Sequence, residues 1–455
     1  MIELQVLLII LAIVFIGYLF IRVINVFEKR CLAEIIFYAY GVGVGAVAFQ
    51  LFTYSRLGIS WNPLLLIGPW LLIVLIFRNK IFPKQSILPF QKVKLRYFDK
   101  IMIVLILSLI FFVAFESIIR PVQAWDGWSS WLMKAKIYYM DGKINPSSFL
   151  YLDSEYPLTI SLMSTFIYIM IGQVNDRAVL LSFFMFYFSI GAVTFFSLKN
   201  YVGLTRSLIF TFLLLSLQNI IRHGGRFEAG QADLALGYYI LVSGILLMDF
   251  IKNYNIKTLI LLNLFLGITS MIKNEGLPYS LFVEVLIIYH IIKIRKYNYL
   301  LPLFLWLIPL LDWQLFKIIN RLPVNYLFRN FYIHTGRILD VILTISKEFI
   351  NLKNWNILWL VFIASIFLPL STKIRSVLRY LYILIFFQLI MYLFIFLITP
   401  VDATVHINNV IDRLLIHIAP SSVFSIAIAS TNLNLKNYFI LQKLKYSLRR
   451  FQSLF

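Results

Sequence analysis

The feature that most constrains the fold of this chain is a succession of apolar runs, separated by short loops that carry Lys and Arg. A helix needs roughly 20 apolar residues to cross a hydrocarbon core of about 30 Å, and thirteen runs approach or reach that length. The predicted spans are 4–24, 32–53, 61–77, 101–119, 178–198, 207–221, 234–251, 258–272, 277–292, 299–316, 354–371, 380–400 and 413–430. The sequence therefore predicts an all-α polytopic membrane protein with about 13 transmembrane helices.

Composition supports this class. Of the 455 residues 61% are hydrophobic and only 13% are charged, which is too apolar for a soluble chain of this length. The single cysteine, Cys31, excludes an internal disulfide framework and a cysteine-cluster metal site. The net charge of +21 is spread over short loops, which favours contact with membrane lipids and argues against a nucleic-acid partner. We interpret 4–24 as a retained span, because no basic segment and no small-residue cleavage site accompany it.

The run 156–172 decides the sidedness of the chain. If it enters the membrane and returns as a re-entrant helix, one side collects 24 Lys and Arg but only two acids, Glu28 and Asp99. If it crosses, the basic loops are divided between both sides. Lys and Arg accumulate in cytoplasmic loops, so the first arrangement is predicted, with the N-terminus outside and most acids on the exoplasmic face of the cell (inner or plasma) membrane. The basic segments are 25–31, 78–100, 199–206, 252–257, 293–298, 372–379 and 431–455.

This topology divides the chain into three parts. Residues 1–100 hold three N-terminal spans and a basic cytoplasmic loop, and residues 101–430 form the main transmembrane module, with an exoplasmic loop at 120–177. Residues 431–455 form a basic cytoplasmic tail, which is typical of contact with anionic lipid. A second outside stretch, 317–353, is basic and aromatic, and its apolar spacing predicts helix along the membrane surface.

Residues 124–143 read "AWDGWSSWLMKAKIYYMDGK". On a helix over 125–140, at 100° per residue, the aromatic side chains fall on one stripe and Lys134 falls on the polar face. Such a helix is expected to lie in the membrane plane, with its rings at headgroup level. The stripe does not explain Asp126, which stands in the first turn. One explanation is an N-terminal cap, because a carboxylate is favoured by the helix dipole there.

Other charged residues are predicted on the same face as Asp126. Each alone is more typical of a solvated loop, but together they bring cations and carboxylates to one membrane depth. Arg and Lys suit the phosphate of a lipid headgroup, and a carboxylate can accept the proton of an attacking hydroxyl. These residues are Arg222, Arg226 and Asp233 in "RHGGRFEAGQADLALGYY", Lys273 and Glu275 in "KNEG", and Arg413 in "DRLLIHIAP".

Taken in order, "WDGWSSWLMKAK…DSEYPL", "GQADLALGYY", "KNEG" and "DRLLIHIAP" resemble the membrane-embedded glycosyltransferases of the GT-C superfamily. The likeness is greatest to relatives of the protein mannosyltransferases and the aminoarabinose transferases, and it covers roughly 120–280 and 402–420. It implies transfer of a sugar from a polyprenyl-phosphate-linked donor to a glycan, lipid or protein acceptor on the exoplasmic face, with inversion. The first core helix of that family would correspond to 101–119.

The resemblance also implies roles for individual residues. Asp126 matches the loop aspartate that acts as general base in the family, Glu155 and Tyr156 belong to its Pro-containing loop motif, and Asp233 matches a second acidic position. The predicted binding residues for the donor phosphate and substrate are Glu155, Tyr156, Arg222, Arg226, Asp233, Lys273, Glu275 and Arg413. No metal ligand is assigned, because the paired-acid motif of oligosaccharyltransferases is absent from this loop. A divalent cation stays open as a cofactor.

Three other functions stay open. A lipid-linked saccharide polymerase or ligase would share the fold and use a diphosphate donor. A transporter for lipid-linked saccharide would place charges at mid-membrane within two related halves. Here the charges lie at span ends, apart from Glu34 and Glu284, and no internal repeat is visible. A scaffold without chemistry is the third alternative.

Overall fold

Helices are the only regular secondary structure in the part of the chain that the structure describes, which confirms the predicted all-α class. The computed structural model describes residues 2–27, 31–82, 94–150, 152–153, 156–323 and 332–432. In chain order the helices are α1 (Ile2–Ile24), α2 (Leu32–Leu57), α3 (Pro63–Ile76), α4 (Arg78–Ile81), α5 (Tyr97–Ile119), α6 (Leu132–Asp141), α7 (Thr159–Ile171), α8 (Asp176–Val202), α9 (Leu204–Leu215), α10 (Gln218–Gly225), α11 (Asp233–Asn253), α12 (Ile256–Ser270), α13 (Gly276–Ile294), α14 (Leu307–Ile319), α15 (Ile338–Phe349), α16 (Leu352–Trp355), α17 (Leu358–Ile366), α18 (Thr372–Ile398), α19 (Ala403–Ile416) and α20 (Ala419–Ala429). A π-helical turn spans Gly127–Trp131, and 3₁₀ segments span Pro146–Leu150, Tyr297–Leu305, Thr335–Arg337 and Ser430–Asn432.

Among the described residues, seven unbroken helices are long and apolar enough to cross a membrane: α1, α2, α5, α8, α11, α13 and α18. Three bent pairs raise the number to ten if each pair is one span. The pairs are α9 with α10, bent by 69°, the 3₁₀ segment Tyr297–Leu305 with α14, bent by 44°, and α19 with α20, bent by 51°. The protein is therefore a multi-pass membrane protein.

The difference between ten and the predicted thirteen lies in three helices. The runs at 61–77, 258–272 and 354–371 contain α3, α12 and α17, with 14, 15 and 9 residues. At 1.5 Å per residue even α12 is only about 22 Å long, less than a hydrocarbon core of about 30 Å. Hydropathy alone measures how long an apolar run is, and it cannot show where a helix ends inside that run.

The ambiguous run 156–172 contains α7, whose 13 residues are almost all buried among other helices. It packs against α2 and α6, and the backbone N–H of Thr159 donates to the carbonyl of Met271 at 3.3 Å. A 13-residue helix is about 20 Å long, which is too short to cross a bilayer unaided. Glycine in the left-handed conformation ends it at Gly172, with φ of 76°.

The N-terminal helices are part of the same hydrophobic core as the rest of the chain. α1 and α2 pack along each other, and α2 also contacts α7, α8 and α12. Buried residues from α1 to α20 form one continuous cluster. Helices α1 and α2 are therefore built into the body that carries the site described below.

Close packing of α1 on α2 depends on Gly43, because a Cβ there would overlap the carbonyl oxygen of Ile13. We expect Gly43→Ala to lower the free energy of unfolding by about 1–3 kcal/mol, the usual cost of overpacking. Gly68→Ala in α3 is the matched control, since no atom lies within 4 Å of its added Cβ. Denaturation in detergent micelles measures both, and equal stability of the two variants would contradict this packing.

The segment with the three tryptophans is helical without a break from Trp125 to Asp141, which agrees with the predicted helix. It differs in that Gly127–Trp131 form a π turn, after which α6 begins at Leu132. Because a π turn adds a residue, the two halves of the stripe face different ways. Trp125 and Trp128 are 69% and 38% exposed, whereas Trp131 is buried and Lys134, expected on the polar face, is fully buried. The Lys134 ammonium lies 5.7 Å from the Trp131 ring centre.

Candidate functional site

Asp126 stands at the start of the π turn, and its carboxylate makes no capping hydrogen bond to that turn. Its Oδ2 instead accepts a hydrogen bond from Nη1 of Arg413, 287 residues later, on α19. The Asp126 side chain is 41% exposed and that of Arg413 is 20% exposed. The carboxylate is thus held at the edge of the protein interior while it stays accessible, and a tertiary ion pair replaces the predicted cap.

Residues from a third segment, the loop between α10 and α11, also hold the guanidinium of Arg413. Nη1 of Arg413 donates to Oε1 of Gln231 at 2.8 Å, and Nε2 of Gln231 donates to Glu228 at 2.6 Å. The other oxygen of Glu228 accepts from Arg222 at 2.6 Å. We call these five residues the Asp126–Arg413 network. It joins the exposed aromatic turn, the loop between α10 and α11, and α19.

A second, buried cluster lies beside it. Oδ1 of Asp233, in the first turn of α11, accepts from Nζ of Lys273 at 2.7 Å and lies 3.1 Å from Nε2 of His417. Nδ1 of His417 lies 2.8 Å from the hydroxyl of Tyr392. Lys273 Nζ is also 3.3 Å from Glu275. The Asp233 side chain is only 1% exposed, so this cluster compensates charges inside the protein.

Gly237, one turn after Asp233, permits this cluster to form. A Cβ at this position would come within 2.8 Å of the carbonyl oxygen of Ile416, so α11 can approach the end of α19 only because a glycine stands there. The contact places Asp233 beside His417 and close to the helix that carries Arg413. The sequence "GQADLALGYY" therefore positions the cluster through its second glycine as well as through its acid.

Lys273 lies in the turn between α12 and α13. Burial by itself lowers the pKa of its ammonium, but the carboxylates of Asp233 and Glu275 outweigh burial, and the pKa is raised above that of an ordinary lysine. Lys273 is therefore a fixed positive charge at physiological pH.

Lys273 and Arg413 open onto a cavity of about 710 Å³, here named the basic cavity. Among the described residues, its lining carries four cations, Lys273, Lys317, Arg321 and Arg413, but only one carboxylate, Glu275. The lining also has an apolar part, which is formed by residues of α13 and α18. These apolar residues include Leu277, Leu281, Met391, Phe394 and Ile395. A volume of this size lies within the range of about 300–1,000 Å³ that is usual for ligand pockets.

Four of the predicted site residues line the basic cavity: Tyr156, Lys273, Glu275 and Arg413. Asp126, Arg222 and Asp233 reach its cations through the contacts described above. Arg226 lies apart. Its Nε donates to Glu116 of α5 at 2.8 Å, and its guanidinium stacks on Phe112 and Phe227.

The remaining predicted residue, Glu155, lies outside the described residues. Its neighbour Tyr156 packs against Trp131, with 5.3 Å between ring centres. This contact joins Tyr156, in the loop 120–177, to the π turn that precedes α6.

Several residues of the site were not predicted. Gln231 is neutral. It lies beside Ala232 and Asp233 in the motif "GQADLALGYY", but its residue type does not indicate a charged site. Tyr392 lies within an apolar run and carries no signal of its own. Lys317 and Arg321 are basic, but their place in the stretch 317–353 predicts a helix along the membrane surface and does not link them to Lys273, with which they line the basic cavity.

The carboxylates of the site contact cations of the protein. Asp126 pairs with Arg413, and both Asp233 and Glu275 pair with Lys273. Within the described residues no group of three or more His, Cys, Asp or Glu is arranged to hold a metal ion. These residues consequently offer no ready ligand set for a divalent cation.

The arrangement combines an accessible carboxylate, fixed cations and an apolar wall. It can hold an anionic group on a lipid and present a base beside it. Comparison of the chain with protein-family models, with curated protein sequences and with solved structures finds no match.

Proposed function

We propose that this protein is a membrane glycosyltransferase that moves a sugar from a polyprenyl-phosphate-linked donor to an acceptor hydroxyl. The observation that carries the proposal is the described lining of the basic cavity, which combines four cations with apolar residues and in which Arg413 touches the carboxylate of Asp126. A polyprenyl phosphate has the matching parts, an anionic head and a long apolar chain. Arg and Lys are the usual partners of phosphate in proteins.

The first part of the mechanism is the binding of the donor phosphate by the cations of the basic cavity. Arg413 and Lys273 hold the donor phosphate, together with Lys317 and Arg321, which line the same cavity. Negative charge grows on the phosphate as its bond to the sugar breaks. Cations fixed in a partly dry site stabilise that charge without reorganising, which is often the largest electrostatic contribution to catalysis. The apolar chain of the donor lies along α13 and α18.

Proton transfer is the second part. The acceptor oxygen attacks the anomeric carbon as the bond between that carbon and the phosphate oxygen breaks, and polyprenyl phosphate leaves with the electron pair. The hydroxyl proton passes to the carboxylate of Asp126, which is a general base within reach of solvent. A single displacement inverts the anomeric centre and needs one carboxylate, unlike the pair used by glycoside hydrolases. Arg413 holds that carboxylate in a fixed position through their ion pair.

The proposed topology keeps the site on the exoplasmic face. Its support is the charge asymmetry of the loops, with 24 Lys and Arg against two acids on the opposite side. In this arrangement α7 enters the membrane and returns, and the short helices α3, α12 and α17 complete thirteen spans where the bilayer is locally thin.

The test is a transfer assay with purified protein in nanodiscs. Polyprenyl-monophosphate sugars and polyprenyl-diphosphate sugars, both radiolabelled in the sugar, are offered with lipid and glycan extracts of the host envelope. We expect label to move only from the monophosphate donor. Transfer from the diphosphate donor alone would instead establish the polymerase or ligase alternative.

Variants of two arginines distinguish predicted site residues that line the basic cavity from those that lie outside it. Arg413→Gln should lower kcat/KM by roughly 10- to 100-fold, since a hydrogen bond to a charged group contributes about 1.5–3 kcal/mol. Arg226→Gln should stay near wild type, because Arg226 contacts Glu116 outside the cavity and Glu116 keeps Arg120 as a partner. Equal losses in the two variants would contradict the assignment of the phosphate to the basic cavity.

A further inference from the structure

A second cavity, here named the polar pocket, lies on the other side of α19 from the basic cavity. Its volume is about 430 Å³, and it is bounded by α15, α16 and α19. Residues of α19 divide between the two cavities: Val410 and Arg413 line the basic cavity, whereas Ile411 and Asp412 line the polar pocket. The remaining residues of the polar pocket are Thr344, Lys347, Glu348, Asn351, Asn354 and Asn408.

The floor of the polar pocket is a preformed hydrogen-bonded frame around Glu348. One carboxylate oxygen accepts from Asn354 at 2.8 Å and from the indole N–H of Trp355 at 2.7 Å, and the other accepts from Asn351 at 2.9 Å. The Trp355 ring is fully buried beneath them. Three donors on one carboxylate fix two of the pocket's amide groups in place, so little ordering is needed when a ligand binds.

The chemistry of the lining selects a class of ligand. An anionic ligand is disfavoured, since the described lining holds two carboxylates, Glu348 and Asp412, and one cation, Lys347. A metal ion is disfavoured too, because both oxygens of Glu348 already accept hydrogen bonds from N–H donors. An apolar ligand would leave the polar lining unpaired, which is costly. A neutral ligand with many hydroxyls satisfies amide donors, amide acceptors and carboxylates together.

The polar pocket is connected to the catalytic carboxylate through hydrogen bonds. The carbonyl of Asp412 accepts from Asn219 at 3.1 Å, and Oδ1 of Asn219 accepts from Arg222 at 3.4 Å. Arg222 belongs to the Asp126–Arg413 network. A ligand in the polar pocket therefore lies against the same rigid frame that orients Asp126.

We propose that the polar pocket binds the acceptor, and that the acceptor is a neutral saccharide. This inference rests on the proposed function and adds the acceptor class, which the sequence left open among glycan, lipid and protein. The polar pocket would hold the non-reacting units of the saccharide, and the unit with the attacking hydroxyl would extend past α19 to Asp126, to which the pocket is connected through Asn219 and the Asp126–Arg413 network.

The experiment compares two variants of adjacent residues in full-length protein in nanodiscs. Asn408→Trp fills the polar pocket, and Asn409→Trp is the matched control, because Asn409 is exposed on the same helix and lines neither cavity. Saturation-transfer NMR with the neutral disaccharides maltose, cellobiose and lactose measures binding without any transfer step. We expect wild type and Asn409→Trp to bind at least one of them, and Asn408→Trp to lose that signal. In the transfer assay, Asn408→Trp should raise the acceptor KM and leave the donor KM unchanged.

The two proposals fail in different ways. No saccharide binding by the wild type, or equal binding by both tryptophan variants, would overturn the assignment of the polar pocket. Binding that depends on Asn408, in a protein that transfers no sugar from any polyprenyl donor, would support the pocket as a saccharide site while it contradicts the proposed transferase.

Discussion

Asp126→Asn should reduce sugar transfer by about 10²–10⁴-fold, the range in which general acid–base groups contribute. The amide has nearly the shape of the carboxylate but cannot take the proton of the acceptor hydroxyl. Binding of the donor should change little, because Lys273, Lys317 and Arg321 still line the basic cavity. Initial rates with a monophosphate donor, together with donor binding measured separately, check both expectations.

The control for this prediction is Asp141→Asn. Asp141 is an exposed acid at the end of α6, within the same loop, and its variant should transfer sugar at the wild-type rate. Thermal unfolding of both variants verifies that they fold. An Asp126→Asn protein that folds and retains wild-type activity would remove Asp126 from the mechanism.

The second large effect concerns stability. Asp233→Ala should lower the free energy of unfolding by about 3–5 kcal/mol, the usual cost of removing one partner of a buried ion pair. The side chains of Asp233 and Lys273 are 1% and 9% exposed, so the lysine would keep its charge with only Glu275 beside it. His417 would also lose a contact. Denaturation in mixed micelles gives the free energy.

Asp312→Ala is the matched control for Asp233→Ala. Asp312 lies 3.8 Å from Arg56 and both side chains are about 30% exposed, so its loss should cost no more than about 1 kcal/mol. The double variant Asp233→Ala with Lys273→Met should regain part of the stability, because it leaves no buried unpaired ammonium. A double variant less stable than Asp233→Ala would contradict the assignment of the loss to the unpaired ammonium of Lys273.

The sequence was sufficient to predict that residues far apart in the chain lie on the same side of the membrane. Asp126, Asp233, Lys273 and Arg413 were assigned to one face because Lys and Arg mark the opposite side of the membrane, and the structure places all four in adjoining clusters. The side of the membrane on which each loop lies depends on the whole chain, and the Lys and Arg content of the short loops is enough to predict it. The functional roles of these residues stay predictions.

Local geometry was less predictable. The π turn at Gly127–Trp131 has no signature in a helical wheel, so the burial of Lys134 was missed. Gln231 and Tyr392 join the site through tertiary contacts that neither charge nor periodicity reveals. Arg226 was grouped with Arg222 because the two are close in sequence, yet the turn after α10 directs Arg226 towards Glu116 of α5.

The central claim is that the basic cavity holds a polyprenyl phosphate, and photocrosslinking tests it most directly. A photoreactive phenylalanine analogue is placed at Leu281, which lines the cavity and is 48% exposed, or at Leu213 of α9, which is 46% exposed and lies outside its lining. With radiolabelled polyprenyl monophosphate in nanodiscs, we expect labelling at position 281 that unlabelled lipid competes away and Arg413→Gln weakens. Equal labelling at both positions, unaffected by Arg413→Gln, would contradict the account.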